Sequence, residues 1–188
     1  MKLSDLLKSN TVTLDCTPES DDQLLRCIAK IASGTDSMAG ISEEVIYKAL
    51  SDRERLSSTA WGHGVAIPHC RMAALSDFTV GLIILSEGID FHAADEEKVF
   101  LFPFVIGPEN EPRAHLRLLS SLAQAFRDRK LRESLKETST ADDAIEILLG
   151  RISPETAVDK GSGKKLIHVF IQDEGVFDEL LQVFAAAD

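Results

Sequence analysis

Between Arg53 and Arg71 the chain reads RERLSSTAWGHGVAIPHCR, a stretch in which glycines, hydroxyls, two histidines and arginines crowd around a short apolar run. Pro68 has a fixed φ and no N–H, and it forces Ile67 into an extended conformation, so the strand is expected to stop there and leave His69 at its end. An imidazole is largely neutral at pH 7 and then exposes a nitrogen lone pair, which makes His69 a competent nucleophile or metal ligand. Arg53 offers a planar fork of donors that matches phosphate oxygens better than a lysine would. Ser58 and Thr59 offer hydroxyls, and a loop containing Gly62 and Gly64 can bring backbone N–H groups close to an anion. Imidazole and thiolate also suit zinc. The spacing of His63, His69, Cys70 and His92 argues little for it, so no metal site is expected and His63 and His92 are placed at the rim of the pocket.

These residues need elements to hold them. Apolar residues recur at helical spacing from Glu19 to Ser33, ahead of Gly34, and a second helix is expected from Ser42, a good N-cap, to about Arg55. Short β-like runs follow at Val65 to Ile67, Thr79 to Leu85 and Val99 to Ile106. Pro103 cannot donate to a ladder, which predicts an edge strand or a bulge at that point. Helical periodicity returns from Arg113 to Phe126, and His115 falls beside the apolar face near the start of that helix. Further helices are expected from Lys130 to about Leu135 and from Thr140, with Asp143 completing a capping box, to Gly150. The central strands are too closely spaced for helical crossovers throughout. The expected fold class is therefore α/β with an α+β character, a mixed β-sheet flanked by helices on both faces.

A chain of 188 residues has room for one complete domain with a short appendage. We expect a domain over 1–152, a linker over 153–165 that contains Gly-Ser-Gly, and a β-α appendage over 166–188 that is too small to bury a core alone. The basic GSGKK run lacks the spacing of a phosphate loop, so Lys164 and Lys165 are read as solvated, and His168 as packed on the tail strand. The longest apolar runs are far shorter than the roughly 20 residues a membrane-spanning helix needs, and the N-terminus has no apolar signal segment, so a cytoplasmic location is expected. A net charge of −11 opposes binding to nucleic acid or anionic lipid and suits a basic protein partner better. Cys16, Cys27 and Cys70 are odd in number and form no CxxC pair, so they are read as reduced thiols, the first two in or near the core.

From about Leu3 to Gly150 the sequence resembles the IIA components of the mannitol/fructose class of the bacterial phosphoenolpyruvate-dependent sugar phosphotransferase system, including the nitrogen-branch IIA-like regulators. The resemblance is carried by Glu54, then Trp61, Gly62, His63, Gly64 and the run Val65-Ala66-Ile67-Pro68-His69, with Cys70 after it and Gly88-Ile89-Asp90-Phe91 as a weaker echo. It implies the IIA mannitol/fructose-type fold, His69 as the phosphorylated histidine, and active-site roles for Arg53 and His115. It implies a phosphohistidine carrier that takes a phosphoryl group from an HPr-like protein and passes it to a IIB-type acceptor in sugar uptake, with no dissociable cofactor. The alternative is a regulator of nitrogen or carbon metabolism that binds target proteins according to its phosphorylation state. A metal-dependent hydrolase is a third reading, distinguished by elemental analysis.

Overall fold

The computed structural model describes residues 3–152, so the expected linker and appendage, with Lys164, Lys165 and His168, lie outside the described residues. In chain order the elements are α1 (Leu3–Leu6), β1 (Leu7–Thr13), α2 (Asp21–Ser33), a 3-10 turn (Asp36–Met38), α3 (Glu43–Glu54), β2 (Ala60–Gly62), β3 (Val65–Ala66), β4 (His69–Met72), β5 (Thr79–Ile89), β6 (Val99–Pro108), α4 (Pro112–Phe126), α5 (Arg129–Glu137) and α6 (Ala141–Arg151). The helices start where their caps dictate. Ser20 accepts from the N–H of Gln23 ahead of α2, and Thr140 accepts from the N–H of Asp143 ahead of α6. Ser42 precedes α3 as expected, but its hydroxyl makes no capping bond. α6 runs to Arg151, one residue beyond the expected glycine stop.

The sheet has six strands in the order β1-β5-β6-β3-β2, with β4 also paired to β6. β1 lies parallel to β5, β5 and β6 are antiparallel, and both β3 and β4 run parallel to β6. The mixed sheet is as expected. Along β5 successive side chains alternate between two cores. Ile83 and Leu85 face Leu24, Leu25 and Ile28 of α2 and Ile46 and Leu50 of α3, while Val80, Leu82 and Ile84 face Leu118, Leu119, Leu122 and Phe126 of α4 together with α5 and α6. Burial on both faces explains why β5 and β6 read as nearly unbroken apolar runs. Cys70 is buried in the first core, and Cys16 and Cys27 pack against it. Among the described residues no helix is long and apolar enough to cross a membrane.

Two sequence expectations fail here for identifiable reasons. Pro103 sits in β6, a central strand, opposite Leu82 with no bulge; the register shift lies between Ile84 and Ile89 instead. On its other edge β6 donates from Leu101 to Gly64 O and from Val105 to Pro68 O. The position between them, Pro103, faces the interval between β3 and β4, so its missing N–H falls where the neighbouring strand is interrupted. The strand does stop at Ile67, but His69 is not left at its end: the chain re-enters the sheet there, and His69 begins β4 and pairs with Val105.

Candidate active site

β4 places the central histidine by strand alternation. Cys70 and Met72 point into the α2/α3 core, so His69 and Arg71 lie on the opposite face, towards α4. His69 is 4% exposed, and its Nδ1 lies 2.7 Å from the carbonyl oxygen of Ile67. A carbonyl only accepts, so Nδ1 carries the proton and donates it, and the lone pair sits on Nε2. Burial, then the Arg53 guanidinium, with His115 and Arg71 adding to it, push the His69 pKa down to about 3 against the raising effect of the Ile67 carbonyl. The ring is neutral at physiological pH and fixed in one tautomer.

His115 comes from the first turns of α4, 5.6 Å from the His69 ring between centroids. It is 1% exposed, and neither ring nitrogen has a hydrogen-bond partner among the described residues. The Phe78 ring lies 6.2 Å from it between centroids. Gly107, beside Arg71 in the β4–β6 register, makes room for Phe78: a Cβ at that position would come within 2.2 Å of the Phe78 ring. Burial, then Arg71 and Arg53, push His115 down to about 4. An imidazole whose N–H finds no protein acceptor is costly to bury, by about 1–3 kcal/mol, and is a ready donor to an anion arriving between the two rings. Glu111 precedes α4 without making a side-chain cap, and Pro112 opens the helix, so its first-turn amide dipoles add to a positive field.

Arg53 lies in the last turn of α3, the helix packed on the other side of the sheet, is buried at 6% exposure, and its Nη1 donates to the carbonyl of Ser57 at 3.1 Å. The 55–59 loop is braced from within. Glu54, at the start of the signature, accepts from the N–H and the hydroxyl of Thr59, both at 2.7 Å. Burial nevertheless pushes Glu54 up. Ser58 donates its hydroxyl to Phe91 O and accepts from the N–H of Ala60. Thr59 O accepts from Ile67 N, which ties the loop to the residue that orients His69. Ser58 and Thr59 thus lie close to the site, and their hydroxyls are engaged in shaping the loop.

The structure does not bring Gly62 and Gly64 to His69. They form the turn between β2 and β3, with φ of +92° and +76°. Val65 pairs with Leu101 and His69 with Val105, four positions further along β6, or about 13 Å at strand rise. His63 is carried to the same remote turn, where its N–H bonds Asp95, so it is not at the rim of the site. His92 lines a cleft with Asp21, Glu54 and Ser58, behind the loop. Among the described residues no group of three or more His, Cys, Asp or Glu could hold a metal ion. Arg71 was not singled out from the sequence; the i, i+2 spacing from His69 on an extended segment was the available signal. The Ile67 carbonyl and Phe78 had none, because both act through register and packing.

A histidine of fixed tautomer, ringed by arginines and an unsatisfied second imidazole, is suited to accepting an anionic group. Comparison with known proteins points the same way. Residues 5–150 match the model of the family described as "Phosphoenolpyruvate-dependent sugar phosphotransferase system, EIIA 2". A nitrogen regulatory protein of Bradyrhizobium diazoefficiens is 28% identical over 84% of this chain and 99% of its own length. The fructose-specific EIIABC component of Bacillus subtilis is 26% identical over 79% of this chain and 23% of its own length. Among solved structures, the nitrogen regulatory protein IIA-Ntr of Neisseria meningitidis superposes with a TM-score of 0.73 at 33% identity, covering 78% of this chain and 98% of that one. The chain therefore belongs to the EIIA 2 family of the phosphoenolpyruvate-dependent sugar phosphotransferase system.

Proposed function

We propose that this chain carries a phosphoryl group on Nε2 of His69, receiving it from the phosphohistidine of an HPr-like protein and passing it to a IIB-type acceptor in sugar uptake. The observation that carries the reading is the bond from Nδ1 of His69 to the Ile67 carbonyl, which leaves Nε2 as the lone-pair nitrogen beside His115. In the transfer, Nε2 attacks the phosphorus, a new P–N bond forms as the donor's P–N bond breaks, and the electron pair returns to the donor's ring nitrogen. The Nδ1 proton stays where it is. Such a reaction needs positioning and charge stabilisation more than covalent machinery. The buried Arg53 guanidinium, Arg71 and the ring N–H of His115 oppose the charge of the incoming phosphoryl group, in a site where water screens it poorly.

A second reading is favoured by the nitrogen regulatory proteins of Bradyrhizobium diazoefficiens and Neisseria meningitidis, matched along 99% and 98% of their own lengths. On that reading the same phosphoryl group sets which target protein is bound, without onward delivery to sugar. Incubation with phosphoenolpyruvate, the first enzyme of the system and an HPr-like protein, followed by mass spectrometry of peptides, tests the carrier step. A stoichiometric acid-labile label on His69 is expected, and a label elsewhere or none overturns it. Chasing the labelled protein with IIB domains separates the two readings: loss of label supports delivery, and retention supports regulation.

A further inference from the structure

His69 is nearly buried, so a protein donor reaches Nε2 only by seating its own surface on the rim above it. One side chain on the loop that holds Arg53 stands out. Of the large hydrophobic side chains among the described residues, two are exposed, Val45 at 52% and Leu56 at 80%. Single exposed apolar residues are ordinary on a protein surface, and Val45, near the start of α3, needs no explanation. Leu56 differs in its place. Its N–H bonds the carbonyl of Arg53, the next residue's carbonyl holds the Arg53 guanidinium, and three residues on Thr59 O bonds Ile67, which orients His69. A leucine is thus held out from a loop whose backbone is fixed on both sides by the site itself. Arg53, which this loop holds, and Arg71 both act on His69 with a charge opposite to that of the phosphoryl group a donor brings, although the chain as a whole is at −11.

We propose that Leu56 is the apolar anchor of the surface that receives the phosphoryl-donor protein, inserting into an apolar patch next to the donor's phosphohistidine while the arginines take its charge. The inference rests on the carrier reading of His69. Exposed large apolar side chains that become desolvated at the centre of an interface carry a disproportionate share of affinity. Because the loop is braced by Glu54 and Thr59, little conformational freedom is lost when Leu56 docks.

The test compares two phosphoryl donors on the full chain, the phosphorylated HPr-like protein and phosphoramidate, which is small enough to need no docking surface. Leu56→Ser is expected to lower kcat/KM with the protein donor about tenfold, mainly through KM, and to leave the phosphoramidate rate within about twofold, with an unchanged melting temperature. Leu56→Met should restore the protein-donor rate, and Val45→Ser should change neither. Equal losses with both donors, or no loss with the protein donor, would overturn the assignment. If the unaltered chain takes no label on His69 from either donor, the carrier reading itself falls, an outcome distinct from failure of the anchor alone.

Discussion

Two parts of the run from Arg53 to His69, carried to opposite ends of the sheet, look equally well equipped in sequence, and the fold uses them for opposite purposes. At one end His69 and Arg53 are buried together with His115 on neighbouring elements. At the other, Gly62, His63 and Gly64 form a turn held by Asp95, with positive φ at all three positions. The glycines there serve chain reversal, four register positions of β6 away from His69. What separates the ends is the β6 register, which sets Val65 against Leu101 and His69 against Val105. A motif contiguous in sequence spans the sheet, so only the part that carries His69 comes to the α4 end, beside His115.

The largest contrast between these ends should come from their histidines. His69→Ala is expected to abolish labelling by the phosphorylated carrier, whereas His63→Ala should label at the parent rate; stoichiometric acid-labile label in the first variant would break the comparison. Arg53→Lys is expected next, with a transfer rate more than tenfold lower because a point charge replaces a planar fork. Rate and circular dichroism both at parent values would return Arg53 to a purely structural role. His115→Ala should still carry label on His69 but exchange it with the donor about tenfold more slowly, as expected for a loss of about 1.4 kcal/mol of transition-state stabilisation. Peptide mapping of the label to His115 in the parent chain would overturn that.

Acid should act through the buried end. His69 and His115 have folded pKa values of about 3 and about 4, below the 6.5 of a free imidazole, so below 6.5 the unfolded chain binds more protons than the folded one. Their effect on stability is absent above that pH and grows as pH falls towards 4 and then 3. Each costs up to about 1.4 kcal/mol per pH unit in that window. Urea midpoints measured from pH 7 to pH 4.5 should fall, and fall less in His115→Gln; equal slopes for both proteins would refute this. The smallest effect on transfer belongs to the turn. Gly64→Ala forces a Cβ onto a residue at φ +76° and should cost about 1–2 kcal/mol of stability. Its transfer rate should stay within about twofold, and a tenfold loss would mean that the two ends are coupled.

Helices α2 to α6 were legible because their signals are local, whereas the short α1 was not expected. Ser20 and Thr140 cap where they stand, and the 3.6-residue period of α2 and α4 follows from one buried stripe each. β1, β2 and β4 were not legible. Leu7–Thr13 reads LKSNTVT, with three exposed positions in a row, and becomes a strand because it pairs with β5 and Thr11 bonds the Val80 carbonyl. His69–Met72 mixes an imidazole and a guanidinium with two core residues, and its extended shape comes from pairing with β6.

Through its resemblance to the IIA family the sequence pointed to His69, Arg53 and His115, residues that the fold brings close to one another. It also determined the class of fold, because periodicity and breakers depend on neighbours a few residues away. Only the tertiary structure decided that Nε2 of His69 bears the lone pair, that Ser58 and Thr59 brace a loop, and that Gly62 and Gly64 lie at the far end of the sheet. Those outcomes depend on which carbonyl lies 2.7 Å from a ring nitrogen and which strand pairs with which. Such distances join residues remote in the chain, and no local propensity encodes them.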